Sequence, residues 1–353
     1  MSGAGGLSGG TLQEPDARAR AAGIDAAASP AAPAMLSVED LVVEYRVGGA
    51  TVHAVSGASF TVASGETLGL VGESGCGKST LGRALLRLTE PRSGRVHFDG
   101  VELTALSGEA LRRMRRRVQM VFQDPIASLN PRRRVGDIVA EPLVIAGVAD
   151  AAERAWRVRE ILEAVGIDPE GALQRYPHEF SGGQCQRLCI ARALVLEPRL
   201  LVCDEPVSSL DVSIRAQILT LLEAMKARLG LTMLFIAHDL AVVKAISDRI
   251  AVMYLGRLCE VADAASLFRV PLHPYTAMLI EAIPLPDPDA PPACSVPVGE
   301  PPSPIAPPSG CRFRTRCPRA DTRCAAEVPA LREVAPGRTV ACHQPLAGPG
   351  AAA

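Results

Sequence analysis

The segment with the plainest chemistry lies near residue 75. An apolar stretch, Glu66-Thr-Leu-Gly-Leu-Val71, runs directly into Gly72-Glu73-Ser74-Gly75-Cys76-Gly77-Lys78-Ser79, which fits G-x4-GK[ST]. Glycines in such a loop let successive backbone N–H groups turn inward toward phosphates, because no Cβ blocks their approach. A helix expected to follow would add its positive N-terminal end. Lys78 is placed to neutralise the β- and γ-phosphates of ATP, and the Ser79 hydroxyl to ligate Mg2+. The expected nucleotide contacts run from Gly72 through Thr80.

Two other segments fit the same chemistry. Leu200-Leu-Val-Cys-Asp204-Glu205 is an apolar strand ending in paired carboxylates. Asp204 is placed to hold Mg2+ through water, and Glu205 to polarise an attacking water. In Glu179-Phe-Ser181-Gly182-Gly183-Gln184, Ser181 and Gln184 have the S-x-x-Q spacing of a capping box. A plain helix start explains the serine and the glutamine but not the two glycines between them. Gly182 and Gly183 expose N–H groups at a helix N-terminus, which makes a second anion site. One nucleotide does not need two such surfaces in the same way.

The elements that must position these residues follow from the apolar pattern. Leu36 to Tyr45 and Thr51 to Ala63 read as strands, Ser79 to Leu88 as a helix, and Arg95 to Phe98 as a short strand before an Asp99-Gly100 turn. Residues from about 125 to 195 read as mainly helical, with Val158, Ile161, Leu162 and Val165 at three and four spacing. Leu200 to Cys203 and Thr232 to Ala237 read as buried strands flanking a helix over Ile214 to Leu229. Strands alternating with helices point to an α/β fold with a largely parallel, covered sheet.

The chain has 353 residues, 48% hydrophobic, so a large core is within reach, and its formal net charge of −1 gives no overall basic field for nucleic acid. Lysine occurs only at 78, 226 and 244. No apolar run reaches the roughly 18–20 residues that cross a bilayer. Residues 1–34 are rich in Ala, Gly, Ser and Pro and read as a disordered tail without a secretory signal, as do residues 347–353 at the other end. Proline recurs through 284–308, which marks a linker containing Cys294. Of the ten cysteines, Cys76, Cys185, Cys189, Cys203 and Cys259 read as small packing residues. The Arg runs at 112–113, 115–117 and 132–134 read as solvated faces, with contact to membrane subunits or anionic lipid as the alternative.

Phe180 to Gln184 resembles the LSGGQ motif of ATP-binding-cassette (ABC) ATPases, with Phe in place of the leading Leu. Other parts of that family's pattern occur in order. The resemblance implies that Tyr45 stacks on adenine and that Gln123 contacts Mg2+ and the attacking water. It also implies that Ser209-Leu210-Asp211 is the D-loop and that His238 is the switch histidine touching the γ-phosphate. The implied catalytic set is Glu205, His238 and Gln123, with Mg2+ at Ser79, Gln123 and Asp204. In that family two cassettes pair head to tail, so Ser181, Gly182, Gly183, Gln184 and Asp211 of one would close over ATP held by the other. The implied fold is a RecA-like core with a β subdomain and an inserted helical subdomain, spanning 35–283.

Phe122 to Arg132, Tyr176 to Arg187, Leu272 to Thr276 and Pro302 to Cys311 resemble oligopeptide and dipeptide importer ATPases, and most closely their second ATP-binding subunit, the OppF/DppF type. Ser209 departs from the Ala common there. The resemblance implies a related but different ATPase as partner, two integral membrane permease subunits and an extracytoplasmic substrate-binding protein. It places the chain peripherally at the cytoplasmic face of the inner membrane. Nickel, glutathione or a sugar oligomer are alternative cargoes, and a soluble, non-transport ABC ATPase is the alternative class. Residues 309–346 read as a small Cys-containing C-terminal domain with Cys311-x5-Cys317-x6-Cys324-x17-Cys342. Four thiolates can hold Zn2+ or an iron–sulfur cluster, and spacing alone does not choose, although the lack of CxxC pairs counts against zinc. The resemblance implies a [4Fe-4S] cluster, and unliganded or disulfide-linked cysteines are the other outcome.

Overall fold

A computed structural model describes residues 34–283 and 299–346. The expected tails at 1–33 and 347–353, most of the Pro-rich linker and Cys294 lie outside the described residues. The chain opens with β1 (Ala34–Val47) and β2 (Ala50–Ala63), a long antiparallel pair. β3 (Thr67–Val71) and α1 (Lys78–Leu85) flank the Gly-rich loop, and β4 (Ser93–Phe98) and β5 (Val101–Glu102) complete a separate four-stranded antiparallel sheet in the order β2-β1-β4-β5. After α2 (Gly108–Arg115) and β6 (Val118–Val121) come α3 (Pro125–Ser128), α4 (Val135–Ile145), α5 (Ala151–Ala164), α6 (Pro169–Ala172) and α7 (Gly182–Leu194). These five helices fill the stretch from about 125 to 195 expected to be mainly helical.

β7 (Leu200–Asp204), α8 (Val212–Leu229), β8 (Thr232–Ile236) and α9 (Leu240–Ile246) return to the core. β9 (Arg249–Tyr254), β10 (Arg257–Asp263), α10 (Ala264–Arg269) and α11 (Pro274–Glu281) follow, and α12 (Thr322–Ala326), β11 (Arg332–Ala335) and β12 (Arg338–Val340) form the tail. The main sheet has the order β11-β12-β10-β9-β3-β8-β7-β6. From β9 to β6 the strands are parallel, whereas β10, β12 and β11 add antiparallel edges. The expectation of a parallel sheet therefore holds for the central strands and stops at β9. β9 and β10 are joined by the two-residue turn Leu255–Gly256 and β11 and β12 by Pro336–Gly337, connections too short for anything but antiparallel pairing.

Every residue of β3, β7 and β8 is buried, which is why these strands read as continuous apolar runs. Alternate side chains serve different cores. Leu200 and Val202 pack toward the antiparallel sheet, while Leu201 and Cys203 pack toward the helical layer around α7. Cys76, Cys185, Cys189, Cys203 and Cys259 are all buried, as their apolar surroundings suggest.

The tail, expected as a small domain of its own, belongs to the same compact body as the cassette. β12 pairs with β10 through Glu260↔Val340 and Val261↔Thr339, and the Ala341 N–H donates to the Cys259 carbonyl at 2.8 Å. The segment has too few apolar residues for its own core, so Phe313, Cys324, Val340 and Ala341 are buried against the cassette instead. The described end of the linker also docks, since the Pro304 carbonyl accepts from the His53 N–H at 3.0 Å. The Arg runs are less free than expected: Arg115 bonds the Leu86 and Arg87 carbonyls, and Arg117 and Arg133 pair with Asp99 and Glu141. Among the described residues no helix is long and apolar enough to cross a membrane.

Candidate functional site

The parallel strands β3, β6, β7 and β8 deliver their carboxyl ends to one edge, and the expected chemistry collects there. Gly72 follows β3, Gln123 lies just past β6, Asp204 and Glu205 stand at the end of β7, and His238 lies just past β8. Sequence spacing alone did not put Gln123, Glu205 and His238 in contact. The Gln123 side-chain amide donates to Glu205 Oε2 at 3.0 Å, and His238 Nδ1 lies 3.2 Å from the same oxygen. Glu205 adopts a positive φ of 48°, a costly conformation for a residue with a Cβ. Its N–H is tied to the Ile236 carbonyl at 2.9 Å, which fixes the carboxylate between the two partners.

Lys78 is 4% exposed, and its ammonium donates to the carbonyls of Gly72 at 2.8 Å and Glu73 at 3.0 Å. Among the described residues no carboxylate pairs with it. A buried cation that meets two carbonyls and, at 3.9 Å, the Cys76 sulfur, with no carboxylate to neutralise it, suits an anion. Gly77, the residue before α1, has φ 106°, and a Cβ there would stand 2.1 Å from the Ala54 carbonyl oxygen. No side chain fits that position. Ser74 and Gly75 are exposed at the loop tip, whereas Cys76 is buried beneath it.

The Ser79 hydroxyl donates to Asp204 Oδ1 at 2.7 Å. Asp204 is fully buried, and its Oδ2 has no hydrogen-bond partner. Burial pushes its carboxyl above the usual range, with the Ser79 bond pulling the other way. A buried carboxylate oxygen left open beside a serine hydroxyl fits an oxygen-seeking cation such as Mg2+. Tyr45 is half-buried, with its hydroxyl oxygen 3.4 Å from Thr80 Oγ1 and 3.5 Å from Thr89 Oγ1, which places it beside the start of α1.

Ser181 and Gln184 form the anticipated capping box at the start of α7: Gln184 N–H donates to Ser181 Oγ at 3.3 Å, and Ser181 N–H to Gln184 Oε1 at 3.0 Å. Ser181, Gly182 and Gln184 are exposed. Gly183 has a packing reason as well, because a Cβ there would stand 2.7 Å from Ile214 of α8. Asp211 precedes α8, exposed, with no capping bond from its side chain. Among the described residues no hydrogen bond joins Ser181–Gln184 or Asp211 to the Gly72–Ser79 loop. The exposed start of α7 and the Gly72–Ser79 loop thus stand as two distinct segments, each with backbone N–H groups at the start of a helix. A cavity of about 770 Å3 lies away from both, between β1, β2, β10 and the tail.

Cys311, Cys317, Cys324 and Cys342 line one small cavity with His273 and His343, about 10 Å3 in volume. None of the four is disulfide-bonded. Burial raises the thiols of Cys311, Cys317 and Cys342, the last to about 11. Among the described residues no group of three or more His, Cys, Asp or Glu is arranged to hold a metal ion. The four thiols are thus gathered round one small void, a soft donor set of the kind that holds an iron–sulfur cluster or Zn2+.

The sequence reading missed a contact behind the phosphate loop. The Glu73 carboxylate is paired with Arg316 of the tail by two bonds, at 2.8 and 3.0 Å, and the Glu73 N–H donates to the Tyr275 hydroxyl at 2.9 Å. Nothing periodic announces a pair 243 residues apart; the only sequence signal was an arginine beside a clustered cysteine.

Comparison with known proteins agrees with this architecture. A family model described as ABC transporter matches residues 55–208, and one described as oligopeptide/dipeptide transporter, C-terminal region, matches 259–324. The oligopeptide transport ATP-binding protein OppF of Escherichia coli K12 is 49% identical over 309 residues, covering 84% of this chain and 92% of that protein. A Brucella ovis protein, named provisionally for peptide import ATP binding, is 54% identical over 308 residues, covering 87% and 97%. Among solved structures, the ATP-binding cassette MJ0796, dimeric and in a post-hydrolysis state with ADP and phosphate bound, superposes with a TM-score of 0.60 at 28% identity, covering 65% of this chain and 99% of that one. A Clostridium perfringens component of the cbiONQ ABC transporter complex gives 0.59 at 31%, covering 67% and 91%. The chain belongs to the ABC transporter family, as an ABC-type ATPase cassette carrying the oligopeptide/dipeptide transporter C-terminal region.

Proposed function

We propose that this chain is the ATP-hydrolysing subunit that powers import of di- and oligopeptides by a bacterial ABC transporter. The observation that carries the proposal is the meeting of Gln123, Glu205 and His238 beside a buried, carboxylate-free Lys78 and the open Asp204 oxygen. In this proposal Gly72 to Thr80 hold the phosphates and Tyr45 the adenine. Glu205 orients and deprotonates the attacking water, His238 touches the γ-phosphate, and Gln123 reports the state of the site outward. Ser79, Gln123 and Asp204 would hold Mg2+, which neutralises charge on the phosphates.

Ser181, Gly182, Gln184 and Asp211 are exposed and, with the half-buried Gly183, are assigned to the ATP held by a second cassette. Their separation from the loop of the same chain supports that assignment. The partner cassette is proposed to be a related but different ATPase. Two membrane permease subunits and an extracytoplasmic binding protein complete the assembly, with this chain peripheral on the cytoplasmic side. The match of the C-terminal region and the names of the relatives support peptide over nickel, glutathione or sugar cargo. The domain division proposed is a cassette at 35–283 and a four-Cys segment at 309–346. The convergence of Cys311, Cys317, Cys324 and Cys342 on one void supports a structural metal group, [4Fe-4S] before zinc, with no part in hydrolysis.

Replacing Glu205 by Gln tests the central assignment. Turnover should fall by at least about a hundredfold, the scale of a lost general base, while ATP-dependent pairing persists. Unimpaired hydrolysis would refute the role given to Glu205.

A further inference from the structure

Glu73 is the second residue of the phosphate loop, yet its carboxylate does not meet Lys78. It is taken from behind by Arg316, with Nη1 on Oε2 at 2.8 Å and Nη2 on Oε1 at 3.0 Å. This is the two-pronged geometry in which guanidinium and carboxylate pair most strongly. The Arg316 side chain is 4% exposed and that of Glu73 24%. Arg316 is itself held, because Nη1 also donates to the Tyr254 hydroxyl at 3.3 Å and the guanidinium lies over the Tyr254 ring at 5.8 Å.

The main chain of Glu73 is gripped as well, since its N–H donates to the Tyr275 hydroxyl at 2.9 Å. Tyr254, Tyr275 and Phe313 pack as one aromatic cluster with centroids 4.7 to 5.3 Å apart, so the two grips share a rigid base. Tyr254 comes from β9, Tyr275 from α11, and Phe313 and Arg316 from the tail. Three segments beyond residue 250 therefore converge on one residue of the loop. That residue matters to the cation, because Lys78 rests on the carbonyls of Gly72 and Glu73.

We infer that Arg316 is a positioning residue for ATP binding, through which the C-terminal segment holds the phosphate loop in its binding shape. A loop whose N–H groups are already aimed spends less ordering entropy when the phosphates arrive. The region matched as the transporter C-terminal segment and the region matched as the cassette then form a single binding unit. The inference rests on the proposal that the Gly72–Ser79 loop binds ATP.

The test compares Mg-ATP affinity of the full-length chain by calorimetric titration, and KM and kcat of the assembled transporter. Arg316→Ala should weaken ATP binding by about tenfold or more, the scale of a lost charge-assisted bond. KM should rise in step while kcat at saturating ATP stays within about twofold, because Glu205 and His238 are untouched. Arg316→Lys should recover part of the affinity, and the charge swap Glu73→Arg with Arg316→Glu should recover more than either single change. If Arg316→Ala does not fold, Arg316→Met keeps a buried stem while removing the charge from the same pair, and should show the same split between KM and kcat. ATP affinity within about twofold of wild type in these variants, with Lys78→Ala abolishing binding, would overturn this inference alone. Absence of ATP binding in the wild type would overturn the functional proposal and this inference with it.

Discussion

Replacing Asp204 by Asn should make the nucleotide-free protein more stable while abolishing Mg-ATP turnover. Asp204 is fully buried, one oxygen holds the Ser79 hydroxyl at 2.7 Å, and the other has no partner. Burial raises its carboxyl, so the folded chain binds a proton more readily at this site than the unfolded chain does. By linkage, the favourable contribution of this group is present at pH below its unfolded value and lost as pH rises through its folded value. At neutral pH the charge is therefore a net cost to the empty protein. An unpartnered buried charged group costs about 2–3 kcal/mol and an unpartnered neutral dipole about 1 kcal/mol, so the amide should gain about 1–2 kcal/mol. For a chain of this size that is about 1–3 °C in melting temperature. Calorimetry without magnesium or nucleotide measures the gain, and the same scan with Mg-ATP should stabilise the wild type but not Asp204→Asn. A variant that melts at or below the wild type when empty, or that gains equally from Mg-ATP, would refute the reasoning.

Gly77→Ala should lower ATP affinity by at least about tenfold, because its Cβ would stand 2.1 Å from the Ala54 carbonyl at a φ of 106° and the strain involved is about 1–3 kcal/mol; nucleotide titration checks this. Burial holds His273 down at about 4 from 6.5, and its Nδ1 accepts from the Tyr275 N–H at 3.0 Å. The unfolded chain thus binds more protons between those values, so stability is complete above about pH 6.5 and falls by about 3 kcal/mol on the way to pH 4. Denaturant midpoints of His273→Asn, which can still cap α11, should be flatter across that window. Cys189 and Cys203, both pushed up to about 12 by burial, should resist alkylation at pH 8 in the native protein and react only on unfolding, as peptide mapping would reveal. Anaerobically purified protein should be brown, with broad absorbance near about 400 nm, and Cys317→Ser should remove it; colourless protein with zinc by metal analysis would select the other occupant.

What could be learned from the sequence by itself was whatever is encoded in a short stretch. The loop from Gly72 to Ser79, the strand ending in Asp204 and Glu205, and the Ser181–Gln184 box each depend on backbone geometry within a few neighbours. Residue type and spacing reveal such features directly. The helical insertion was legible for the same reason, its apolar positions repeating at helical spacing. Strands β9 to β12 were not read, because short segments such as Arg338–Val340 are strands only where a neighbour supplies the pairing. Tertiary structure also decided that the tail joins the cassette's sheet, and that Gln123 and His238 share one oxygen of Glu205. It alone brought Arg316 to Glu73 across 243 positions. Contacts of that kind are products of chain folding over long loops, and no local propensity carries them. The phosphate loop was thus evident from eight consecutive residues, but what holds it in place came from the far end of the chain.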